Sequence, residues 1–443
     1  MNSKRVLLLC AVTVPFCWAA LYGVSGLMMH RLLWKTATPA GTVSTAGSPR
    51  QRDLPFAAFP PMGPATPGPA TTASVTDPAA QIQEKLRRQM EVRGALKNEA
   101  IVSFKTPEAY AAFLQRAAAA GLVILDRSPG LRSVRVGYDS LARLASDVAA
   151  HAGDYDVAGP NFAVQAPELI KRDQPTGVGD VPYGDQLLSS LGATPNIDRS
   201  KWGTGVTVAV LDSGVSDHPA FTQGQVTHLD LVNDGSAFNG HGTAIASLIA
   251  GNAPGAEGLA PASKILDVRV ADTSGASNSF LLAQGIMAAV QNGAQVINIS
   301  MGSEGDAPAV AQAVQTALAK GVVIVASAGN EDLTTKDWPA AYPGVISVSG
   351  VDAAGHLAYF SNAGSPTLAA PAVGVPSAYA VNGQPYMAVG DGTSQASALV
   401  SGAAAAIAGG GGDVYGTLIK NARSVSAPAT DVGAGVLHLP TGK

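Results

Sequence analysis

The chain has 443 residues, a net charge of −4, 14% charged residues and 47% hydrophobic ones, so it is long enough for one large core and further parts. Its Lys and Arg residues form no cluster beyond isolated pairs, which argues against binding along a nucleic-acid backbone. Both cysteines, Cys10 and Cys17, lie in one N-terminal apolar stretch, so the remainder has neither a disulfide framework nor a cysteine-ligated metal site.

Lys4 and Arg5 precede an uncharged, largely apolar run from Val6 to Met29, closed by His30 and Arg31. That run is longer than the roughly 7–15 residues of a signal-peptide core and passes the roughly 18 residues of a spanning helix. Residues 1–35 therefore read as an uncleaved signal anchor, with a cleaved signal peptide as the alternative. Either way the rest is expected to be exported, held at the cell envelope or secreted. Residues 36–80 turn to Pro, Ala, Thr and Gly and read as a semi-extended spacer.

Residues 81–170 carry periodic elements again. Gln81 to Arg93, with Ile82, Leu86 and Met90 on one stripe, predicts a short helix. A strand follows over Glu99 to Lys105, then a helix over Pro107 to Ala120 with Gly121 after its end. Next come a strand over Leu122 to Leu125, a Ser128-Pro129-Gly130 turn, a strand over Leu131 to Val136, a helix over Ser140 to Ala150 and an extended run near Asp156 to Val164. This β-α-β-β-α-β order is ferredoxin-like. Glu168 to Gly184, which includes Lys171-Arg172, reads as a junction loop.

Residues 171–443 hold the chemistry. Gly205 to Val215 is an apolar run of strand length that stops at Asp212, ahead of a glycine turn. Gly240-His241-Gly242 opens an apolar helix, and Gly392-Thr393-Ser394 opens an alanine-rich one. A serine at a helix N-terminus has unpaired N–H groups beside it that can meet an oxyanion. An ordinary Ser or Thr N-cap leaves the same local pattern. Two further apolar runs end in small residues, at Ser300-Met301-Gly302 and at Ala326-Ser327-Ala328-Gly329-Asn330. In an open α/β sheet, strand ends and helix starts of this kind line one crevice.

Aspartate, histidine and serine in that chain order is the order of subtilisin. The blocks around Asp212, His241, Asn330 and Ser394 closely resemble the signatures of subtilisin-like serine proteases, the subtilases, over about residues 183–439. The resemblance implies an α/β fold, a doubly wound and mostly parallel sheet, preceded by a small α+β ferredoxin-like domain that resembles the family's inhibitory propeptide. It implies Asp212, His241 and Ser394 as the catalytic triad, and Asn330 with the Ser394 N–H as the oxyanion hole. Ser300, Met301 and Gly302 would bind substrate on one side, and Ala326, Ser327 and Ala328 on the other. Small residues on both walls leave room for a sizeable apolar side chain before the scissile bond.

The implied partners are protein or peptide substrates and the chain's own propeptide as an intramolecular inhibitor, with the membrane met only through the N-terminal segment. No cofactor or metal is expected. The stretch from Gly251 to Pro261, where the family often carries a calcium loop, is short and has one carboxylate, whereas calcium takes six to eight oxygens; weak sites elsewhere stay open. The chain departs from the family pattern at Gln395, where methionine is usual, at Ala398, where proline is usual, and at Ala244 and Ala372. Gln395 matters most, because a polar side chain under the nucleophile needs partners. A catalytically silent peptide-binding protein on the same fold is the alternative reading. An α/β-hydrolase esterase is not, since that class places its serine in a Gly-x-Ser-x-Gly turn, which this chain does not have at Ser394.

Overall fold

The computed structural model describes residues 77–167, 170–171, 180–194 and 196–439. The predicted anchor, nearly all of the spacer and most of the junction loop lie outside them. The first element, α1 (Pro78–Met90), starts ahead of the predicted Gln81, because the Asp77 side chain accepts from the Ala79 N–H at 3.0 Å and Pro78 stands where a helix needs no donor. Then follow β1 (Ala95–Phe104), α2 (Pro107–Arg116), β2 (Leu122–Ser128), β3 (Ser133–Tyr138), α3 (Leu141–Ala150) and β4 (Tyr155–Gln165), in the predicted β-α-β-β-α-β order. The strands lie antiparallel in the order β4-β1-β3-β2. Their alternate residues Ala100, Val102, Phe104, Val134 and Val136 pack on Phe113 of α2 and Leu144 of α3.

The second part opens with β5 (Ile170–Lys171) and the one-turn α4 (Leu187–Ser190), then enters the core at β6 (Thr207–Asp212). After it come β7 (Val226–Asp230), α5 (His241–Ala250), the short pair β8 (Asn252–Ala253) and β9 (Ala256–Glu257), β10 (Lys264–Arg269), β11 (Ala276–Asn278) and α6 (Ser279–Gln291). The chain continues through β12 (Val296–Ile299), α7 (Pro308–Ala319), β13 (Val323–Ser327), β14 (Ile346–Val351) and β15 (Leu368–Pro371). A hairpin of β16 (Val375–Val381) and β17 (Gln384–Asp391) leads into α8 (Thr393–Gly409), α9 (Val414–Asn421) and α10 (Ala429–Val432).

Seven strands form one parallel sheet in the order β15-β14-β13-β12-β6-β10-β7. The winding reverses between β6 and β12, which opens a crevice beyond their C-terminal ends. β6 is covered on both faces. Val208 and Val210 pack with Ile245 of α5 and Leu399 and Ala403 of α8, while Ala209 and Leu211 pack with Phe280 of α6 and Val314 of α7. Small residues let α8 run close to its neighbour. A Cβ on Gly402 would lie 3.3 Å from the Ile249 backbone. The glycine-rich stretch at 433–437, which resembles the family's last strand, makes only isolated bridges, from Gly433 to Leu368 and from Val436 to Ala369 and Arg423. Gly433 and Gly435 take φ of 58° and 130°, which interrupts an extended run.

Both parts belong to one compact unit, residues 73–443. The outer edge of β4 pairs antiparallel with β11, extending the first sheet into the second part. Phe162, Val164 and Ala166 join the apolar cluster that contains Leu211, Phe280 and Met301. Asn161, fully buried, accepts from Ser279 Oγ at 2.9 Å and from the Phe280 N–H at 3.2 Å, so the first part supplies a cap to α6 beside that helix's own Asn278. The Phe162 ring rests on Gly305, where a Cβ would come within 2.0 Å of a ring carbon. Gly305→Ala must displace that ring. We expect it to weaken the docking by about 1–3 kcal/mol, read as faster hydrogen exchange across β4 with exchange in β6 unchanged.

Candidate active site

Asp212 ends β6 in the sheet's interior, and His241 begins α5 just behind it. Gly240 enters the helix at φ 91°, and a side chain there would meet the Ala380 carbonyl at 2.4 Å, so the turn that presents His241 needs glycine. Both side chains are buried, and His241 Nδ1 stands 2.8 and 2.9 Å from the two carboxylate oxygens of Asp212. The Ser213 N–H at 2.7 Å and Ser213 Oγ at 3.0 Å also donate to Asp212 Oδ1. Asn239 Oδ1 accepts from the His241 N–H at 2.9 Å and from Ser213 Oγ, tying the two loops together. With Nδ1 bonded to a carboxylate, the Nε2 atom is left free to act as base. It is buried and has no hydrogen-bond partner among the described residues.

Ser394 is the second residue of α8 and is buried beside the same strand ends. Its hydroxyl donates to the Ser300 carbonyl at 3.2 Å. A ladder of buried polar groups holds α8 on β12. Ser401 Oγ donates to Asn298 Oδ1 at 2.9 Å, Asn298 Nδ2 donates to Ser300 Oγ at 2.8 Å, and Ser300 Oγ contacts Ser397 Oγ at 3.0 Å. Across the crevice, Asn330 Oδ1 accepts from both the N–H and the Oγ of Thr393 at 2.9 Å. That fixes the amide and keeps its NH₂ for another acceptor next to Ser394.

Of the wall residues, Ser300, Gly302, Ser327 and Ala328 stand at the ends of β12 and β13, while Met301 and Ala326 lie in the apolar cluster. Part of the chain itself lies along the Ser300–Gly302 wall, between Gly302 and Gly275. The Gln165 N–H donates to the Gly302 carbonyl at 3.3 Å, and the Ala166 N–H to the Gly275 carbonyl at 2.8 Å. A few residues on, Ile170 pairs antiparallel with Asp391 of β17. Residues 165–166 thus pair with Gly302 and Gly275, and residue 170 with Asp391 just ahead of Ser394, while residues 168–169 lie outside the described ones. The histidines without a helix-start setting lie elsewhere. His228 bonds Asp267 at 2.9 Å, and His218 accepts from the Ala220 N–H at 3.0 Å. Among the described residues, no cluster of three or more His, Cys, Asp or Glu is arranged to hold a metal.

One feature escapes sequence reading, and another was flagged by it. Asp337 stands between the wall ends, its carboxyl pushed up to about 7 by burial and by the charges of Glu331 and Glu304. Glu331 follows Asn330 directly, which the sequence shows, but the loop that brings Asp337 back beside it carries no local signal. Gln395, as the motif suggested, lies beneath the serine, and both of its amide atoms are buried without a partner. We expect Gln395→Met to raise stability by about 1–3 kcal/mol by removing that unpaired amide, measured as a higher midpoint in urea. For Asp337, the folded state holds its proton more tightly than the unfolded chain does. Wild-type stability should therefore fall as pH rises from about 4 to about 7, and Asp337→Asn should melt a few degrees higher than wild type at pH 8 but not at pH 4.

Residues 203–422 match the Subtilase family. Subtilisin Savinase of Lederbergia lenta is 36% identical over 231 residues, which cover 51% of this chain and 84% of that protein. An alkaline protease of Shouchella clausii is 36% identical over the same length, covering 51% of this chain and 59% of that one. Among solved structures, fervidolysin from Fervidobacterium pennivorans, a keratinolytic enzyme related to subtilisin, superposes with a TM-score of 0.65 over 78% of this chain and 60% of its own, and at 23% identity it shows a shared fold. With that fold, a seven-stranded parallel sheet and relatives at these identities, the chain belongs to the subtilase family, as a subtilisin-like serine endopeptidase.

Proposed function

We propose that Asp212, His241 and Ser394 form the catalytic triad of an exported endopeptidase, and that residues 81–170 are its inhibitory propeptide. The observation that carries this reading is the seating of the Gln165–Ala166 tail. It lies as an added strand between Gly275 and Gly302, beside a serine and a buried Asp–His pair. Ser394 Oγ turns from the Ser300 carbonyl to His241 Nε2, gives up its proton there and attacks the substrate carbonyl. The Ser394 N–H and Asn330 Nδ2 hold the oxyanion, and His241 returns the proton to the leaving amine. Water then takes the serine's part: His241 accepts its proton and the acyl-enzyme is hydrolysed. Asp212 keeps the imidazole in the required tautomer and stabilises its charged form throughout.

The walls at Ser300–Gly302 and Ala326–Ala328 bind the substrate backbone, and no cofactor is needed for any of these steps. The apolar N-terminal segment fits an anchor or signal that takes the enzyme to the cell envelope or beyond. Relatives named as alkaline proteases and subtilisins support the same reading.

The test is intact-protein mass spectrometry of the full chain over time. Wild type should release a fragment ending between Ala166 and Ile170, and Ser394→Ala should stay whole. Asn330→Ala should process on the order of 10²–10³ times more slowly. If wild type stays whole while folded, the enzyme reading fails and a peptide-holding cleft takes its place.

A further inference from the structure

We propose that the primary specificity pocket takes a cationic side chain, lysine or arginine, on the carboxylate of Asp337. This rests on reading the crevice as the substrate cleft. The two walls end in glycines that face one another across one oxygen. A Cβ built on Gly302 would lie 3.2 Å from Asp337 Oδ2, and one built on Gly329 would lie 2.7 Å from the same atom. Any side chain entering between the walls meets that oxygen. A second carboxylate stands beside it, since the same Gly329 Cβ would be 2.8 Å from Glu331 Oε2.

The floor is held in place. The Asp337 N–H donates to the Ala328 carbonyl at 2.9 Å. The buried Asn362 gives its Nδ2 to Glu331 Oε2 at 2.9 Å and to the Ala328 carbonyl at 3.2 Å, with Asp337 Oδ1 at 3.4 Å. Among the described residues neither Asp337 nor Glu331 has an ion-pair partner. The adjacent Lys336 puts its Nζ on the Ser365 carbonyl at 3.1 Å, and Arg93 of the N-terminal domain pairs with Glu304 at 3.0 Å. A half-buried carboxylate at Asp337 beside the exposed Glu331 is costly without a counter-ion, and a cation arriving with the substrate would relieve that cost.

The chain's own tail accounts for the missing partner. Gln165 pairs with Gly302, so in the same antiparallel register the residue two places on, Pro167, comes opposite Ser300, whose carbonyl accepts the Ser394 hydroxyl. Pro167 is thus the residue offered to the pocket, and its ring has no charge to give. A substrate with Lys or Arg at that place reaches the Asp337 carboxylate with Glu331 beside it, whereas leucine leaves both unpaired. The sequence-based expectation of an apolar side chain came from the small walls alone, without the floor.

Two measurements test this. Processed enzyme is assayed on a matched peptide series with Lys, Arg, Gln or Leu before the scissile bond. Wild type should favour Lys and Arg over Leu by about 10- to 100-fold in kcat/KM, and in Asp337→Asn the ratio of Lys to Leu should fall to near one. A preference for Leu in wild type, or a cation preference that survives in Asp337→Asn, would overturn the assignment. The second measurement needs no chemistry. In the full-length Ser394→Ala chain, Pro167→Lys should melt higher than Pro167→Leu, and the difference should vanish when Asp337→Asn is added. An equal difference with and without Asp337 would overturn the proposal. If that coupling is present but no peptide is cleaved, the endopeptidase reading fails and the pocket assignment stands.

Discussion

A carboxylate in a dry interior must be met by hydrogen bonds and an opposite or polarisable partner, and Asp212 is fully buried at the end of the central strand. That requirement organises the region around it. Ser213 supplies two donors, His241 supplies its ring, and Asn239 ties the turn after the strand to the turn before the helix. The glycines at 240 and 242 exist in this setting because the helix start must come very close to the strand end. A Cβ on Gly242 would lie 2.6 Å from the Gly214 carbonyl and 3.2 Å from Asp212 Cβ. The imidazole is therefore placed by backbone packing first and by its own hydrogen bond second.

The same logic runs from β12 to α8. Asn298, Ser300, Ser397 and Ser401 are all buried and all bonded, so the helix that carries Ser394 is fixed in register on the strand that carries one wall of the cleft. A satisfied polar network of this kind specifies one arrangement where an apolar contact would tolerate sliding. Gln395 is the exception beneath Ser394. Its amide lies in an otherwise well-packed helix base with nothing to bond, a local conflict of the sort that proteins carry near working sites.

The N-terminal domain is joined to the rest by continuity of structure more than by charge. β4 acquires β11 as a neighbour, Phe162 and Val164 enter the larger core, and Asn161 caps α6. An added strand satisfies backbone groups at a sheet edge that would otherwise face water, and that is also how an extended substrate would bind. On the proposed reading, tail and substrate would compete for one row of donors and acceptors, and neither the tail's Gln165 nor its Pro167 would meet the carboxylate of Asp337.

Much was legible in the sequence because it depends on local rules. The β-α-β-β-α-β order follows from hydrophobic period and helix starts, and it holds from β1 to β4. Asp212, His241 and Ser394 each sit at an element end marked by glycine and a change of period, so they were identifiable before any fold was known. Element boundaries were less so, as with α1, where Asp77 and Pro78 sit in a stretch whose composition reads as spacer. What only the tertiary structure decided are relations between distant segments. The loop after Asn330 returns Asp337 to the gap between Gly302 and Gly329, and the strand at 155–165 lies beside Gly275 and Gly302. Such contacts are set by how strands order themselves in a sheet and by which backbone edges remain unpaired, and no local propensity encodes that choice.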